Sequence, residues 1–144
     1  MLKTIINSVD IYYILLVILC VSFIVLYGNY RCKKKDKIND SLLFLDGKPI
    51  FVINDFKLGR WHITHMLFFA LLGYLYPKSF YLSMFGGICW EIVEFSLGYF
   101  KPDWFYNNWC NGVNSSNEWW YYQYSDIFAN LIGFLIGMNL SKIM

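Results

Sequence analysis

Four stretches of the chain are rich in apolar residues and poor in charge, and polar segments separate them. They run from about 11 to 27, from 62 to 77, from 80 to 100 and from 125 to 143. The first is an uncharged run from Ile11 to Tyr27, close to the shortest length at which a helix crosses a bilayer. The pattern predicts an all-α, polytopic integral membrane protein, with about four transmembrane helices in a single domain over residues 1–144.

Two polar segments connect these helices. The basic linker 28–60 has short apolar runs on either side of Asp46-Gly47, a dipeptide that favours a tight turn, and predicts a small hairpin or a surface-lying segment. The loop 101–124 is crowded with tryptophan and tyrosine, whose rings settle at the depth of lipid headgroups. We therefore expect an aromatic interfacial loop between the third and fourth helices.

Composition supports a membrane location and excludes a nucleic-acid partner. Hydrophobic residues make up 58% of the chain and charged residues only 15%, whereas ordinary soluble domains are roughly 25% charged. The formal net charge of +2 offers no basic surface of the kind that holds nucleic acid. Nine of the 12 lysines and arginines lie in the 28–60 and 101–124 segments, which on a four-helix path places both segments in the cytosol.

Six polar side chains interrupt the last three apolar stretches, as three pairs spaced three or four residues apart. The pairs are His62 and His65, Glu91 and Glu94, and Asp126 and Asn130. At these spacings both members of a pair share one helix face. A carboxylate in the bilayer interior costs about 2.5 to 3.5 kcal/mol, so these groups need partners or a polar cavity. Because the third helix runs antiparallel to the second and fourth, all six groups are expected at the same end of the bundle.

Acidic residues brought together in this way repel one another unless a cation neutralises them. The predicted metal ligands are Glu91, Glu94 and Asp126. Their hard oxygens, with the Asn130 side-chain oxygen as an accessory ligand, suit Ca²⁺, Mg²⁺ or Mn²⁺. His65 is the candidate catalytic base, because an imidazole takes up a proton near neutrality. His62, nearer the start of its helix, is an accessory candidate.

Each of these elements also has a structural interpretation. The histidine pair fits a helix start, and the glutamate pair fits a network satisfied by the histidines or by Lys101. Asp126 fits the N-cap of the fourth helix, where a carboxylate accepts amide hydrogen bonds. Gly133 and Gly137 form a G-x-x-x-G face, which in apolar helices allows close packing; for these two glycines we adopt the structural interpretation.

The region from Thr64 to Met138 contains four motifs in a recognisable order. They are T-H-M at 64–66, W-E-I-V-E-F at 90–95, W-W at 119–120 ahead of Asp126, and N-L-I-G-F-L-I-G-M at 130–138. This order resembles that of the base-exchange phosphatidylserine synthases, larger multi-span enzymes of the endoplasmic reticulum. The resemblance implies a calcium-dependent transferase of phospholipid biosynthesis that exchanges a choline or ethanolamine headgroup for serine.

The resemblance also implies roles for particular residues. His65 corresponds to the base, and the three acids correspond to a metal site that holds the lipid phosphate. The implied cofactor is Ca²⁺, the implied partners are a membrane phospholipid and free serine, and the implied location is the endoplasmic reticulum membrane. Because this chain is much shorter than those enzymes, a homo-oligomer or an additional membrane subunit is also among the expected partners.

Two other classes of protein remain open at this stage. The spacing D-x-x-x-N-x-x-G-x-x-x-G from Asp126 to Gly137 also resembles the small VanZ-like membrane proteins. That resemblance implies a noncatalytic protein whose buried acids form a structural network. A channel or transporter also places acids within its spans, but no span here shows the repeated polar face that a pore needs.

The side of the membrane that holds the 101–124 loop decides which cation fits. Free Ca²⁺ is scarce in the cytosol, so a cytosolic site favours Mg²⁺ or Mn²⁺ and a lumenal site favours Ca²⁺. Asn114-Ser115-Ser116 in this loop is a glycosylation acceptor sequence, which is modified only in the lumen. With the loop in the cytosol, Asn114 of the full chain should stay unmodified in microsomes, while an acceptor tag placed before Met1 is glycosylated. A mobility shift abolished by Asn114→Gln would reverse the orientation.

Overall fold

The computed structural model describes residues 11–33, 45, 50–53, 56–100, 102–106 and 124–143. Several sequence features lie outside these residues. They are the Asp46-Gly47 turn, the acceptor sequence at 114–116, the paired tryptophans at 119–120 and most of the aromatic loop. The interfacial position of that loop stays a prediction.

The described chain is helical apart from one short hairpin, so the predicted all-α class is confirmed. The helices are α1 (Ile11–Lys33), α2 (Arg60–Leu75), α3 (Phe80–Phe100), α4 (Asp103–Tyr106) and α5 (Tyr124–Leu140), and the strands are β1 (Phe51–Ile53) and β2 (Phe56–Leu58). The strands are antiparallel, with Ile53 opposite Phe56. This hairpin lies within the basic linker, where the sequence predicts a small hairpin or a surface segment.

Local sequence fixes both ends of α2. Gly59 is the extended N-cap residue, and its backbone N–H donates to His62 Nδ1 at 2.7 Å. At the other end the N–H of Tyr76 donates to the Leu72 carbonyl. Pro77, which has no N–H to continue the helix, then begins a 3-10 turn over Pro77–Ser79. These two ends limit α2 to 16 residues.

Among the described residues, two helices are long and apolar enough to cross a membrane. The corresponding segments are Ile11–Gly28 in α1 and Pro77–Phe100, which comprises the 3-10 turn and α3. Only 11% and 22% of these segments are buried, so most of their apolar side chains face outward. α2 and α5 have 16 and 17 residues, or about 24 and 26 Å, against a hydrocarbon core of about 30 Å. Helix length therefore supports two spans and not the four predicted from the apolar stretches.

The most extensive contact between described elements joins α2 to α5, which run parallel. Three glycines let the two backbones approach. A methyl group at Gly133 would collide with the backbone of Met66, one at Gly137 with the carbonyl of Ala70, and one at Gly73 with the carbonyl of Phe134. Because these obstacles are backbone atoms, no side-chain movement relieves them. The close-packing role predicted for Gly133 and Gly137 is confirmed.

α3 lies against this pair in the opposite direction. Phe80, its first residue, packs edge-on against Phe134 of α5, with ring centroids 5.4 Å apart. Gly87, two turns further along α3, faces Asn130, which precedes Phe134 in α5. The second half of α3 therefore reaches the end of the bundle at which α2 and α5 begin.

α1 joins the bundle near the other end, through Tyr13. The hydroxyl of Tyr13 lies 3.0 Å from Ser83 Oγ, and its ring packs edge-on against Tyr76 at 5.3 Å. Ser79 extends this buried cluster, with its Oγ 3.1 Å from Ser83 Oγ. The buried core lies beside it and consists of Tyr13, Phe69, Leu72 and Phe134.

The packing predicts a sharp contrast between two glycine substitutions. Gly137→Ala should lower the free energy of unfolding by more than about 2 kcal/mol, because its methyl group meets a backbone carbonyl. The matched control is Gly86→Ala, since a Cβ at Gly86 meets nothing within 4 Å. This control should be neutral or stabilise the helix by up to about 1 kcal/mol. Denaturant titration of the full chain in detergent measures both, and equal stabilities would contradict the packing.

Candidate metal centre

The interior of the helix bundle is polar at one end. α2 and α5 are parallel and place their first turns side by side, and α3 brings its second half to the same end. The residues that meet there are the six predicted from the sequence: His62, His65, Glu91, Glu94, Asp126 and Asn130. Five of them are buried and His65 is half-buried. The acids thus lie inside the bundle and not on its outer face.

Three of these side chains approach one another closely enough to share an ion. A ring nitrogen of His65 and one carboxylate oxygen each of Glu91 and Asp126 all lie within 4.8 Å of one another. Ca²⁺ binds oxygen at 2.3–2.6 Å, so ligands on opposite sides of one ion are about 4.6 to 5.2 Å apart. Glu91 is 1% exposed and Asp126 is 6% exposed. Three candidate ligand atoms from three helices therefore lie close enough together to contact one cation.

Asp126 supplies a second observation that points to a cation. Its Oδ1 is buried and has no hydrogen-bond donor among the described residues, and His62 Nε2 lies 3.4 Å away. A buried acceptor left unsatisfied costs about 1 to 3 kcal/mol, and more when it is charged. The N-cap interpretation does not account for it, because α5 begins at Tyr124, before Asp126. A bound cation would compensate this oxygen.

Glu94 lies beside the three candidate ligands, but its carboxylate is hydrogen-bonded to another residue. Its Oε1 accepts a hydrogen bond from Trp90 Nε1 at 2.8 Å, one turn earlier on α3. It is buried and close enough to Glu91 and Asp126 to interact electrostatically with both. The structure therefore groups Glu91 and Asp126 with His65, and the predicted ligand role of Glu94 stays a prediction.

His62 connects the starts of α2 and α5. Its Nδ1 accepts the N–H of Gly59, and its Nε2 lies 2.6 Å from Ser125 Oγ. These contacts match the helix-start interpretation of the histidine pair for His62. Ser125 is not among the residues predicted from the sequence, although its position beside Asp126 at the start of an apolar stretch was an available signal. The structure shows that Ser125 is buried.

His65 has a different environment from His62. Its Nδ1 lies 3.0 Å from the side-chain oxygen of Asn130, which is 1% exposed. Asn130 therefore contacts the imidazole, whereas the sequence predicts its oxygen as an accessory metal ligand. An amide oxygen only accepts hydrogen bonds, so Nδ1 donates and the neutral ring keeps its lone pair on Nε2.

This arrangement can perform two kinds of chemistry. Carboxylate oxygens suit Mg²⁺, Ca²⁺ and Mn²⁺, whereas imidazole nitrogen suits Zn²⁺ and related transition metals. The mixed set of Glu91, Asp126 and His65 fits a divalent cation without selecting one. The lone pair of His65 can alternatively accept a proton from a neighbouring hydroxyl. Both uses require the same buried, partly desolvated setting.

Comparison with protein-family models, with curated proteins and with solved structures finds no match for this chain.

Cation binding should be visible as a change in stability. At 100 times its dissociation constant, a cation that binds only the folded chain adds about 2.7 kcal/mol to the free energy of unfolding. Thermal unfolding of the full chain in detergent, with and without Ca²⁺, Mg²⁺, Mn²⁺ or Zn²⁺, measures this gain. Asp126→Asn should abolish it and, without metal, should be at least as stable as the wild type, because a buried charge has been removed.

The control for this measurement is Asp103→Asn, which removes an exposed acid from α4. It should retain the whole metal-dependent gain. If Asp126→Asn and Glu91→Gln are stabilised by metal as much as the wild type, the cation binds elsewhere.

Proposed function

We propose that this chain is an integral membrane protein that exchanges a phospholipid headgroup for free serine, in a phosphatidyl transfer that depends on a divalent cation. The observation that carries the proposal is the approach of His65, Glu91 and Asp126 to within 4.8 Å of one another. Such a group is suited to reactions at a phosphate, and the four motifs that resemble base-exchange phosphatidylserine synthases include all three residues.

The proposed membrane arrangement starts from the two helices of spanning length, α1 and α3. α2 and α5 lie in the same bundle but are shorter than the hydrocarbon core of a bilayer. In the proposed four-span arrangement, local thinning of the bilayer compensates for their length. The centre then lies about one to two helical turns from one membrane surface, within reach of lipid headgroups. The resemblance favours the endoplasmic reticulum as the location.

The proposed reaction is a displacement at phosphorus. The serine hydroxyl oxygen forms a bond to the lipid phosphorus, and the bond from phosphorus to the oxygen of choline or ethanolamine breaks. A bound divalent cation would supply positive charge against the negative charge that develops on the phosphate oxygens. Glu91 and Asp126 would hold that charge in place.

His65 handles the proton in this scheme. Its Nε2 lone pair accepts the proton of the serine hydroxyl as the new bond forms, and returns it to the departing alcohol oxygen. No net proton is gained or lost in the exchange. The choice of cation follows the side of the membrane, with Ca²⁺ suited to a lumenal site and Mg²⁺ or Mn²⁺ to a cytosolic one.

A noncatalytic role is the second candidate, and one observation favours it. His62 and Ser125 form a buried polar contact between α2 and α5, of the kind that holds helices together. A VanZ-like protein with a structural acid network would contain such contacts and would not incorporate serine into lipid.

Reconstitution with labelled serine separates the two candidates. Liposomes of phosphatidylcholine and phosphatidylethanolamine containing the full chain should incorporate label into lipid only when a divalent cation is present. His65→Gln should lower the rate about 10²- to 10⁴-fold, the usual contribution of a general base. Glu91→Gln should reduce incorporation to background.

Asp103→Asn again serves as the matched control, and its rate should equal that of the wild type. Release of choline or ethanolamine should match the label incorporated, mole for mole. Absence of cation-dependent incorporation in the wild type would favour the noncatalytic candidate, and unchanged incorporation in Glu91→Gln would remove the centre from the reaction.

A further inference from the structure

The chain contains two histidines, and their ring nitrogens have partners of opposite character. His62 Nδ1 receives a backbone N–H from Gly59 at 2.7 Å. His65 Nδ1 faces the side-chain oxygen of Asn130 at 3.0 Å. The Gly59 carbonyl oxygen also lies 3.3 Å from His62 Nδ1, but the N–H contact is much shorter. The nearer partner of His62 Nδ1 is therefore a donor, whereas the partner of His65 Nδ1 is an acceptor. Which ring nitrogen carries the proton is set by the hydrogen bond that the other nitrogen makes.

We propose that the two imidazoles are held in opposite tautomers, and that Asn130 is the positioning residue that keeps the lone pair of His65 on Nε2. The tautomers follow from contacts within the chain. The effect of Asn130 on catalysis rests on the proposed function, in which His65 is the base.

The contacts of His62 exclude it as the base. Because its Nδ1 accepts from Gly59, the neutral ring carries its proton on Nε2. That proton is donated to Ser125 Oγ at 2.6 Å, with Asp126 Oδ1 at 3.4 Å. Neither ring nitrogen of His62 is therefore free to accept a proton from a substrate. Nδ1 already accepts the Gly59 N–H, and Nε2 carries the ring's own proton. His62 and Ser125 do not form a base and nucleophile pair, since the imidazole donates in this contact.

The contacts of His65 produce the reverse arrangement. Asn130 Oδ1 has no hydrogen to give, so Nδ1 must carry the proton and Nε2 is left free to accept. The amide is oriented by α3, because its nitrogen lies beside Gly87, where a Cβ would approach to 3.0 Å. The missing side chain at position 87 leaves room for the amide nitrogen, while the amide oxygen faces His65.

A neutral amide is also the partner that this site requires. Histidine ligands and bases are commonly oriented by a carboxylate, which would add a further negative charge. Glu91, Glu94 and Asp126 are already buried at this end of the bundle. Asn130 fixes the imidazole without increasing their repulsion.

Nuclear magnetic resonance of the full chain labelled with ¹⁵N-histidine tests the tautomers directly. In nanodiscs at alkaline pH, ring nitrogen shifts should show one histidine protonated at Nδ1 and the other at Nε2. His65→Gln should remove the Nδ1-protonated set, which assigns it. Two histidines in the same tautomer would overturn the proposal, whatever the activity of the protein.

Two variants of Asn130 test its positioning role. Asn130→Leu, which has no acceptor, should release His65 from the Nδ1-protonated form while leaving the His62 signals in place. Serine incorporation should fall about 10- to 100-fold, the usual effect of removing the partner of a metal-site histidine. Asn130→Asp keeps an acceptor oxygen and should retain the tautomer of His65.

The two proposals fail in different ways. Opposite tautomers together with no serine incorporation would refute the proposed reaction and leave the histidine assignment standing. Serine incorporation together with an unchanged His65 tautomer and rate in Asn130→Leu would refute the positioning role alone. If Asn130→Leu also disturbs the His62 signals, the substitution has affected more than the His65 contact. The tautomers of both histidines are then read from the wild-type spectrum.

Discussion

The contact between the backbones of α2 and α5 determines what the polar end of this protein can be. Glycines at 133 and 137 bring the two helices so close that side chains as short as serine and asparagine span the gap. A larger separation would leave Ser125 and Asn130 out of reach of the histidines. The polar centre is thus a consequence of apolar packing several residues further along the same helices.

The third helix completes this arrangement at an energetic cost. Glu91 and Glu94 enter a region that already holds Asp126, and burial of like charges opposes folding. A sequence selected for stability alone would place apolar side chains at these positions. Under the proposed function, a bound cation would offset this cost and would account for the acids at one end of an otherwise apolar bundle.

The sequence predicts the helices and the meeting of the six polar residues, because apolar runs and antiparallel order depend only on the chain. It does not predict how those residues divide their contacts. Glu94 accepts a hydrogen bond from Trp90 because of the side-chain conformations on α3. The position of the proton on the His62 ring depends on the contact of Nδ1 with the backbone N–H of Gly59. Helix length also does not support the predicted count of four spans, since α2 lies between Gly59 and Pro77 and has only 16 residues.

The residues that define this centre are far apart in the chain, 63 positions between His62 and Ser125 and 65 between His65 and Asn130. During synthesis, α3 therefore emerges with its two glutamates before α5 exists to accompany them. Until α5 has been synthesised, those carboxyl groups have no α5 residue to meet. A chain truncated before α5 would accordingly keep both glutamates of α3 but lack Asp126, Asn130 and the helix that packs along α2.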